Sequence, residues 1–260
     1  MTDPEDILKL LISAEYEASN LMLEAHAIVA EAKTGKRDVV TEYDRKVQEL
    51  LASLITAEIP DAAFYCEENS VHDNLFAEHV FIIDPIDGTM NFVHGYNYSC
   101  ISVAYASKGV ITAAAVYNPY TDEMFTALKD GGAFLNSRPI RVDSNELGQC
   151  VCCFGTSPYR PELSEKTFQM IRTLYNASLD IRRSGSAELD LCSVAAGRMG
   201  LYFEESIELW DYAAGGLIVT EAGGLISTTD GNPLQLRGGT TSVLAGGPNA
   251  YKDFLELNRH

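Results

Sequence analysis

At 260 residues and 46 % hydrophobic composition, the chain is long enough for one large domain or two small ones around a sizeable core. Nineteen basic against thirty-seven acidic side chains leave a formal charge of −18, which argues against nucleic-acid phosphates and anionic membranes as direct partners and means that a phosphate substrate must be met by bound cations. No apolar run approaches the roughly 18 residues of a membrane span and no cationic, then apolar leader opens the chain, so a soluble protein in the cytoplasm is expected. Cys150 and Cys153 alone stand at C-x-x-C spacing, with no second such pair, and Cys66, Cys100, Cys150, Cys152, Cys153 and Cys192 are expected to be reduced and mostly buried.

Thr2-Asp3-Pro4-Glu5 reads as a helix start. Ile7, Leu10, Leu11, Ala14, Ala18, Leu21, Met22, Ala25 and Val29 then keep a helical stripe to about Ala32. Lys33-Thr34-Gly35-Lys36-Arg37-Asp38 breaks it with a glycine and three bases. That composition predicts either a solvated mobile loop or a flap that brings Lys36 and Asp38 to a site. Thr41 opens a second stripe (Val47, Leu50, Leu51, Leu54, Ile55) with Asp44 in capping-box position, and Pro60-Asp61 closes it. Residues 62–66 form a short strand running into Glu67-Glu68.

The most informative stretch is Phe81-Ile82-Ile83-Asp84-Pro85-Ile86-Asp87-Gly88-Thr89-Met90-Asn91-Phe92. An apolar strand there ends in two closely spaced acids. Carboxylates so near repel, and raise one another's pKa, unless a cation lies between them. Mg2+ takes oxygen ligands and keeps some waters, which leaves positions open for a phosphate. A helix starting at Thr89 would aim free N–H groups where that anion arrives. The same residues also fit a turn with solvated acids.

Residues 98–106, 110–117, 123–128, 133–135 and 139–142 read as an antiparallel meander whose apolar middle asks for helices on both faces. From about Asn145 helices and strands alternate. Strands fall at 150–154, 178–182, 200–203, 225–227 and 242–245. Helices fall at 161–176, with Leu163, Phe168, Ile171 and Leu174 inward, at 187–196 after Arg183-Ser184-Gly185-Ser186-Ala187, at 212–222 and at 248–258. Asp211 stands where an N-cap acid of the third belongs, beside the lone Trp210.

Together these pieces resemble the inositol monophosphatase family of Mg2+-dependent, Li+-sensitive phosphatases. The resemblance rests on five ordered motifs: Asp38-Val39-Val40-Thr41 with Asp44, Glu67-Glu68, Asp84-Pro85-Ile86-Asp87-Gly88-Thr89 with Asn91-Phe92, Gly185-Ser186-Ala187, and Trp210-Asp211 with Ala213-Ala214-Gly215 and Glu221-Ala222-Gly223-Gly224. It implies a mixed α+β and α/β fold, a layered αβαβα sandwich of the sugar-phosphatase type. An N-terminal α+β part would span 1–143 and an alternating C-terminal part 144–260.

The same resemblance implies that Glu67, Asp84 and the Ile86 carbonyl hold one Mg2+ and that Asp84, Asp87 and Asp211 hold another, with Glu67 also serving a weaker third site. Thr89 would position the attacking water with Asp44 behind it. Gly88 and Thr89 amides would cradle the phosphate, while Gly185, Ser186, Ala187, Glu204 and Asp211 line the alcohol side. Lys36 and Glu68 are further candidates. The activity implied is one-step hydrolysis of a small polyol phosphate ester, first of all myo-inositol 1-phosphate, by a homodimer. Fructose-1,6-bisphosphatase, histidinol-phosphate phosphatase and 3'-phosphoadenosine phosphatase activities share the metal core, and a non-catalytic protein-binding role is the remaining reading. Four departures stand out: Glu208-Leu209 before Trp210 where animal enzymes carry His-Cys, Cys66 in place of a usual glycine, Glu188 where a small residue is common, and a short Lys36 loop. Three of them bear on which alcohol is bound.

Overall fold

Asp3 accepts the amide of Glu5 and Pro4 occupies the first turn, so helix α1 (Pro4–Leu23) begins as its sequence predicts. The computed structural model describes residues 3–26, 28–35, 38–68 and 73–258, with 32–35 and 38–39 described by backbone alone. The helix ends at Leu23, well short of Ala32. Val29 is exposed, so the last position of the apolar stripe buries nothing that would hold a further turn. Instead β1 (Ala30–Gly35) pairs antiparallel with β2 (Asp38–Thr41), so residues 33–35 and 38, expected in a loop, lie on paired strands. Lys36 lies outside the described residues. Helix α2 (Glu42–Glu58) starts on the expected Thr41/Asp44 capping box.

Both helices cover one face of a seven-stranded sheet. Its strands are β3 (Ala63–Cys66), β4 (Val80–Asp87), β5 (Cys100–Ser107), β6 (Val110–Asn118), β7 (Glu123–Leu128), β8 (Gly132–Leu135) and β9 (Arg138–Pro139), paired in that order. The side-chain alternation of the strands sorts the two faces. Phe81, Ile83, Ile101, Val103, Ala113 and Ala115 meet Ile7, Leu11, Val47 and Leu51 of α1 and α2. Val80, Ile82, Ala104, Ala114 and Val116 face α5 (Ala187–Ala195) and α6 (Ala213–Glu221) on the other side. Cover on both faces explains the near-continuous apolar runs of β5 and β6.

A five-stranded sheet follows in the order β11-β10-β12-β14-β13, from β10 (Val151–Phe154), β11 (Asp180–Arg182), β12 (Leu201–Ile207), β13 (Leu225–Ser227) and β14 (Thr241–Gly246). Cys153, Tyr202, Val243 and Ala245 pack on α5 and α6. Cys152, Leu201, Phe203 and Leu244 pack on α4 (Ser164–Ala177) and α7 (Pro248–Leu257). The layers therefore run helices, sheet, helices, sheet, helices: the αβαβα sandwich.

Two expectations change. Strand β12 continues through Glu204 and Glu205 to Ile207, because β14 pairs with Glu204 and again, after a register shift, with Ile207. In α4 the buried positions are Thr167, Met170 and Leu174, and Phe168 is 62 % exposed. The buried spacing is helical, and Phe168 falls one position outside it. All six cysteines are free and buried. Among the described residues no helix is long and apolar enough to cross a membrane.

Candidate active site

Strands β3 and β4 run parallel with Cys66 opposite Ile83, so Glu67 and Asp84 emerge side by side at the same edge of the sheet. The Glu67 amide donates to the Ile83 carbonyl at 3.2 Å, and the Glu67 and Asp84 carboxyls hydrogen-bond to each other. Asp84 and Asp87, three residues apart, would face opposite sides of a regular pleat. They do not, because β4 has an irregularity between them: Asp84 pairs with Ser102 and Asp87 with Cys100, so three residues of β4 span two of β5. The extra residue of such a bulge restores the phase and turns both acids toward one mouth. Pro85 sits inside it, where the missing N–H costs no ladder bond.

The chain then reverses at Gly88, whose φ of +84° favours glycine and where a Cβ would stand 3.0 Å from the Tyr98 carbonyl. A short helix, α3 (Thr89–Val93), starts there. The Thr89 hydroxyl lies 3.3 Å from Asp44 Oδ1 and 3.1 Å from the Ile86 carbonyl, so its one proton can be given to either. Asp44 is fully buried and accepts both the amide and the hydroxyl of Thr41 through Oδ2, at 2.7 and 2.6 Å. It caps α2 with one oxygen and meets Thr89 with the other.

The Gly185-Ser186-Ala187 motif supplies the partners of Asp87. The Ser186 hydroxyl and the Glu188 amide, at 2.8 Å, donate to Oδ2, and the Ala187 amide donates to Oδ1 at 3.3 Å. Asn91 secures this loop by donating to the carbonyls of Tyr98 and Ser184. Asp211 lies on a 3-10 turn, Leu209–Asp211, and accepts the Glu208 amide at 2.8 Å. It is not the N-cap of α6, a place taken by Tyr212 with no side-chain cap bond.

These elements enclose a cavity of about 170 Å3 lined by Glu67, Asp87, Gly88, Thr89, Gly185, Ser186, Ala187, Glu204 and Asp211. Asp44, Asp84 and Ile86 lie beneath it, buried. Glu68 is not among the lining residues, and its amide donates to Gln48 of α2. Burial first, and then the charges of Glu67, Asp87 and Asp211, push the Asp84 carboxyl well above the usual range. Burial, Glu67 and Asp87 do the same to Asp211. Asp87 is raised by burial, against the pull of the Ser186 hydroxyl and the Glu188 and Ala187 amides. Among the described residues no three Asp, Glu, His or Cys side chains close on one point as a finished metal cage. The donor chemistry nonetheless fits a hard divalent cation: every candidate ligand is an oxygen, and buried anions that oppose one another are stabilised by a cation between them.

Comparison with known proteins identifies the family. The sequence model of the inositol monophosphatase family matches residues 3–257. The chain belongs to that family. An inositol-1-monophosphatase of Rhizobium meliloti is 36 % identical over 220 residues, covering 83 % of each chain. A Nus factor SuhB of Pasteurella multocida is 35 % identical over 220 residues, 83 % of this chain and 82 % of its own. Among solved structures, the Thermotoga maritima IMPase superposes with a TM-score of 0.89 at 31 % identity, covering 98 % of this chain and 97 % of that one.

In this inositol monophosphatase family chain the far wall holds residues that the motifs did not reveal. Phe154, Tyr159, Asp190 and Tyr202 line the cavity, beside Arg183 of the stretch that leads into Gly185-Ser186-Ala187. Glu204 is held by the Ser157 amide at 2.7 Å, the Ser157 hydroxyl at 3.0 Å and the Tyr202 hydroxyl at 2.8 Å. Gly155 makes room for it, since a Cβ there would fall 1.9 Å from Glu204 Oε2. The one sequence signal for this wall was Gly155-Thr156-Ser157, small residues directly after a strand. Asp190, pushed up to about 8 by burial, is helped the other way by the Ser184 hydroxyl.

Proposed function

We propose that this chain is a Mg2+-dependent hydrolase of small polyol phosphate monoesters, with myo-inositol 1-phosphate first among them. The observation that carries the reading is the β4 bulge, which points Asp84 and Asp87 into the mouth shared by Glu67, Asp211 and Thr89. Glu67, Asp84, the Ile86 carbonyl, Asp87 and Asp211 would hold the ions. Bound Mg2+ supplies positive charge to the phosphoryl oxygens and lowers the pKa of a water. Thr89, donating its proton toward Asp44 or the Ile86 carbonyl, presents a lone pair that can accept a hydrogen bond from that water. Asp44, anchored twice by Thr41, is the base behind it. The amides of Gly88 and Thr89, at the start of α3, are the expected phosphate cradle. Glu204, immobilised by Ser157 and Tyr202, would accept hydroxyl protons of the alcohol.

One observation favours a second reading. Arg183 lines the cavity and, among the described residues, makes no ion pair, whereas Arg182 pairs with Asp180 in solvent. An arginine so placed suits a second phosphate, as in fructose 1,6-bisphosphate or a 3'-phosphoadenosine substrate. The cavity wall otherwise carries acids, which ranks a single-phosphate polyol first. The homodimer also remains a proposal, supported by exposed Phe168, Tyr175 and Leu179 beside edge strand β11. Sedimentation equilibrium tests it.

Phosphate release from inositol, sugar, histidinol and nucleotide phosphates, with and without Mg2+, tests the main reading. Release from inositol 1-phosphate that stops when Mg2+ is chelated is the expected result. No Mg2+-dependent release from any ester would overturn it and leave the protein-binding role that the name of the Pasteurella multocida relative suggests.

A further inference from the structure

Glu188 is fully buried in the first turn of α5, in the helical layer between the two sheets. A buried acid needs partners, and this one engages three elements. Its backbone amide donates to Asp87 Oδ2 at 2.8 Å. Its carboxyl accepts the Ala214 amide at 3.3 Å through Oε1 and the Gly215 amide at 2.6 Å through Oε2. Ser102 of β5 adds a side-chain hydrogen bond. Ala214 and Gly215 are in the first turn of α6, whose amides have no partner inside the helix. Tyr212, at the N-cap, does not cap them, so the cap is supplied by a neighbouring helix. Gly215 belongs to the same arrangement, because a Cβ there would stand 2.5 Å from Glu188 Oε2.

The consequence follows from connectivity. Helix α6 continues from the Leu209–Asp211 turn with only Tyr212 between. One residue therefore grips Asp87 by its main chain and, by its side chain, the helix that carries Asp211. We propose that Glu188 is a positioning residue, a strut that fixes the separation of Asp87 and Asp211 and thereby sets the affinity of the site for a divalent cation. The proposal rests on the reading of Asp87 and Asp211 as metal ligands given above. It also gives a role to the acid that stands where a small residue is common. Glutamine at this position would keep one acceptor and turn an NH2 group against the other helix amide, while alanine would leave both amides unsatisfied in a buried place.

The test measures Mg2+ binding by calorimetry on the full chain without substrate, beside thermal melting and the Mg2+ dependence of phosphate release. Glu188→Gln is expected to weaken Mg2+ binding about tenfold, the range seen when an outer partner of a metal ligand is lost. The ester KM at saturating Mg2+ should move far less than the Mg2+ affinity does. Gly215→Ala, which crowds the same carboxyl from the other side, should weaken Mg2+ binding in the same direction and keeps the proposal testable if Glu188→Gln does not fold. A lowered melting temperature with Mg2+ affinity changed by less than about threefold would make Glu188 a structural acid only and overturn the proposal. Asp87→Asn is the control for the underlying reading: if it binds Mg2+ as the parent does, the ligand assignment fails first, and the failure is then distinguishable from that of the strut.

Discussion

Two groups of buried acids lie on opposite faces of the seven-stranded sheet, and they behave differently. On one side, Asp84 and Asp87 are buried and Asp211 half-buried, all with raised pKa values, but each accepts a backbone amide and all gather around or beneath one cavity. On the other, Glu15 of α1 is fully buried with both carboxyl oxygens lacking a hydrogen-bond partner. Its pKa is driven well up by burial and then by Glu188 across the sheet, with only slight relief from the Val103 backbone. Burial and a perturbed pKa are common to both, so neither alone marks a functional site. Oriented donors and an opening for a ligand are what separate them.

The largest effect that would break this contrast is loss of a ligand. Asp87→Asn should cut kcat/KM about a hundredfold or more while leaving the circular dichroism and melting curve near those of the parent. Parental rates at ordinary Mg2+ would place Asp87 with Glu15 as a merely buried acid. Proton release comes next. Because Asp84 and Asp211 hold protons tightly without metal, Mg2+ must displace them, and affinity should rise with pH by up to about tenfold per unit for each proton displaced. Titrations in buffers of different ionisation heat measure that count, and zero protons released would contradict the picture.

Glu15 should respond in the opposite sense. Its folded pKa lies above the unfolded value near 4.5, so the folded state binds the proton more tightly. The stability this confers is complete below the unfolded pKa and is lost as pH rises toward the folded one. Glu15→Met should therefore stabilise the protein at pH 8 by about 1–3 kcal/mol and by less at pH 5, with turnover unchanged. Urea melts at the two pH values decide it; a stabilisation independent of pH would mean that the fold does not raise the Glu15 pKa above its unfolded value. The smallest effect separates the two duties of Asp44. Thr41→Ala should cost about 1 kcal/mol as a lost helix cap. If Asp44 also serves the reaction, kcat should fall as well, because its anchor toward Thr89 is gone; a purely structural cap would leave kcat alone.

Much of this arrangement was legible in the chain. The Thr41/Asp44 box, the strands running into Glu67 and Asp84, and the meander are local patterns, and local hydrogen bonds decide them. The end of α1 was not, because Ala25 and Val29 continue the helical spacing and only tertiary packing shows that Val29 meets nothing. Strand β12 ran on past its acids because Ser157, remote in sequence, and Tyr202, two residues back on the same face of the strand, satisfy Glu204 inside the sheet. Glu188 could be noticed as unusual, but its duty joins α5 to the start of α6, a contact no periodicity encodes. The direction of Asp87 was equally hidden, since the spacing of two acids on a strand does not reveal a bulge.

That single surplus residue between Asp84 and Asp87 acts as a phase shifter. Were every residue of β4 paired one to one with β5, the period of the pleat would send the Asp87 carboxylate toward the oily layer beneath α1 and α2. Exchanging Ile86 for another aliphatic side chain should therefore be tolerated far better than any change that forces regular pairing through Pro85 and Ile86. The pairing of the segment, as much as its spelling, is what the site inherits.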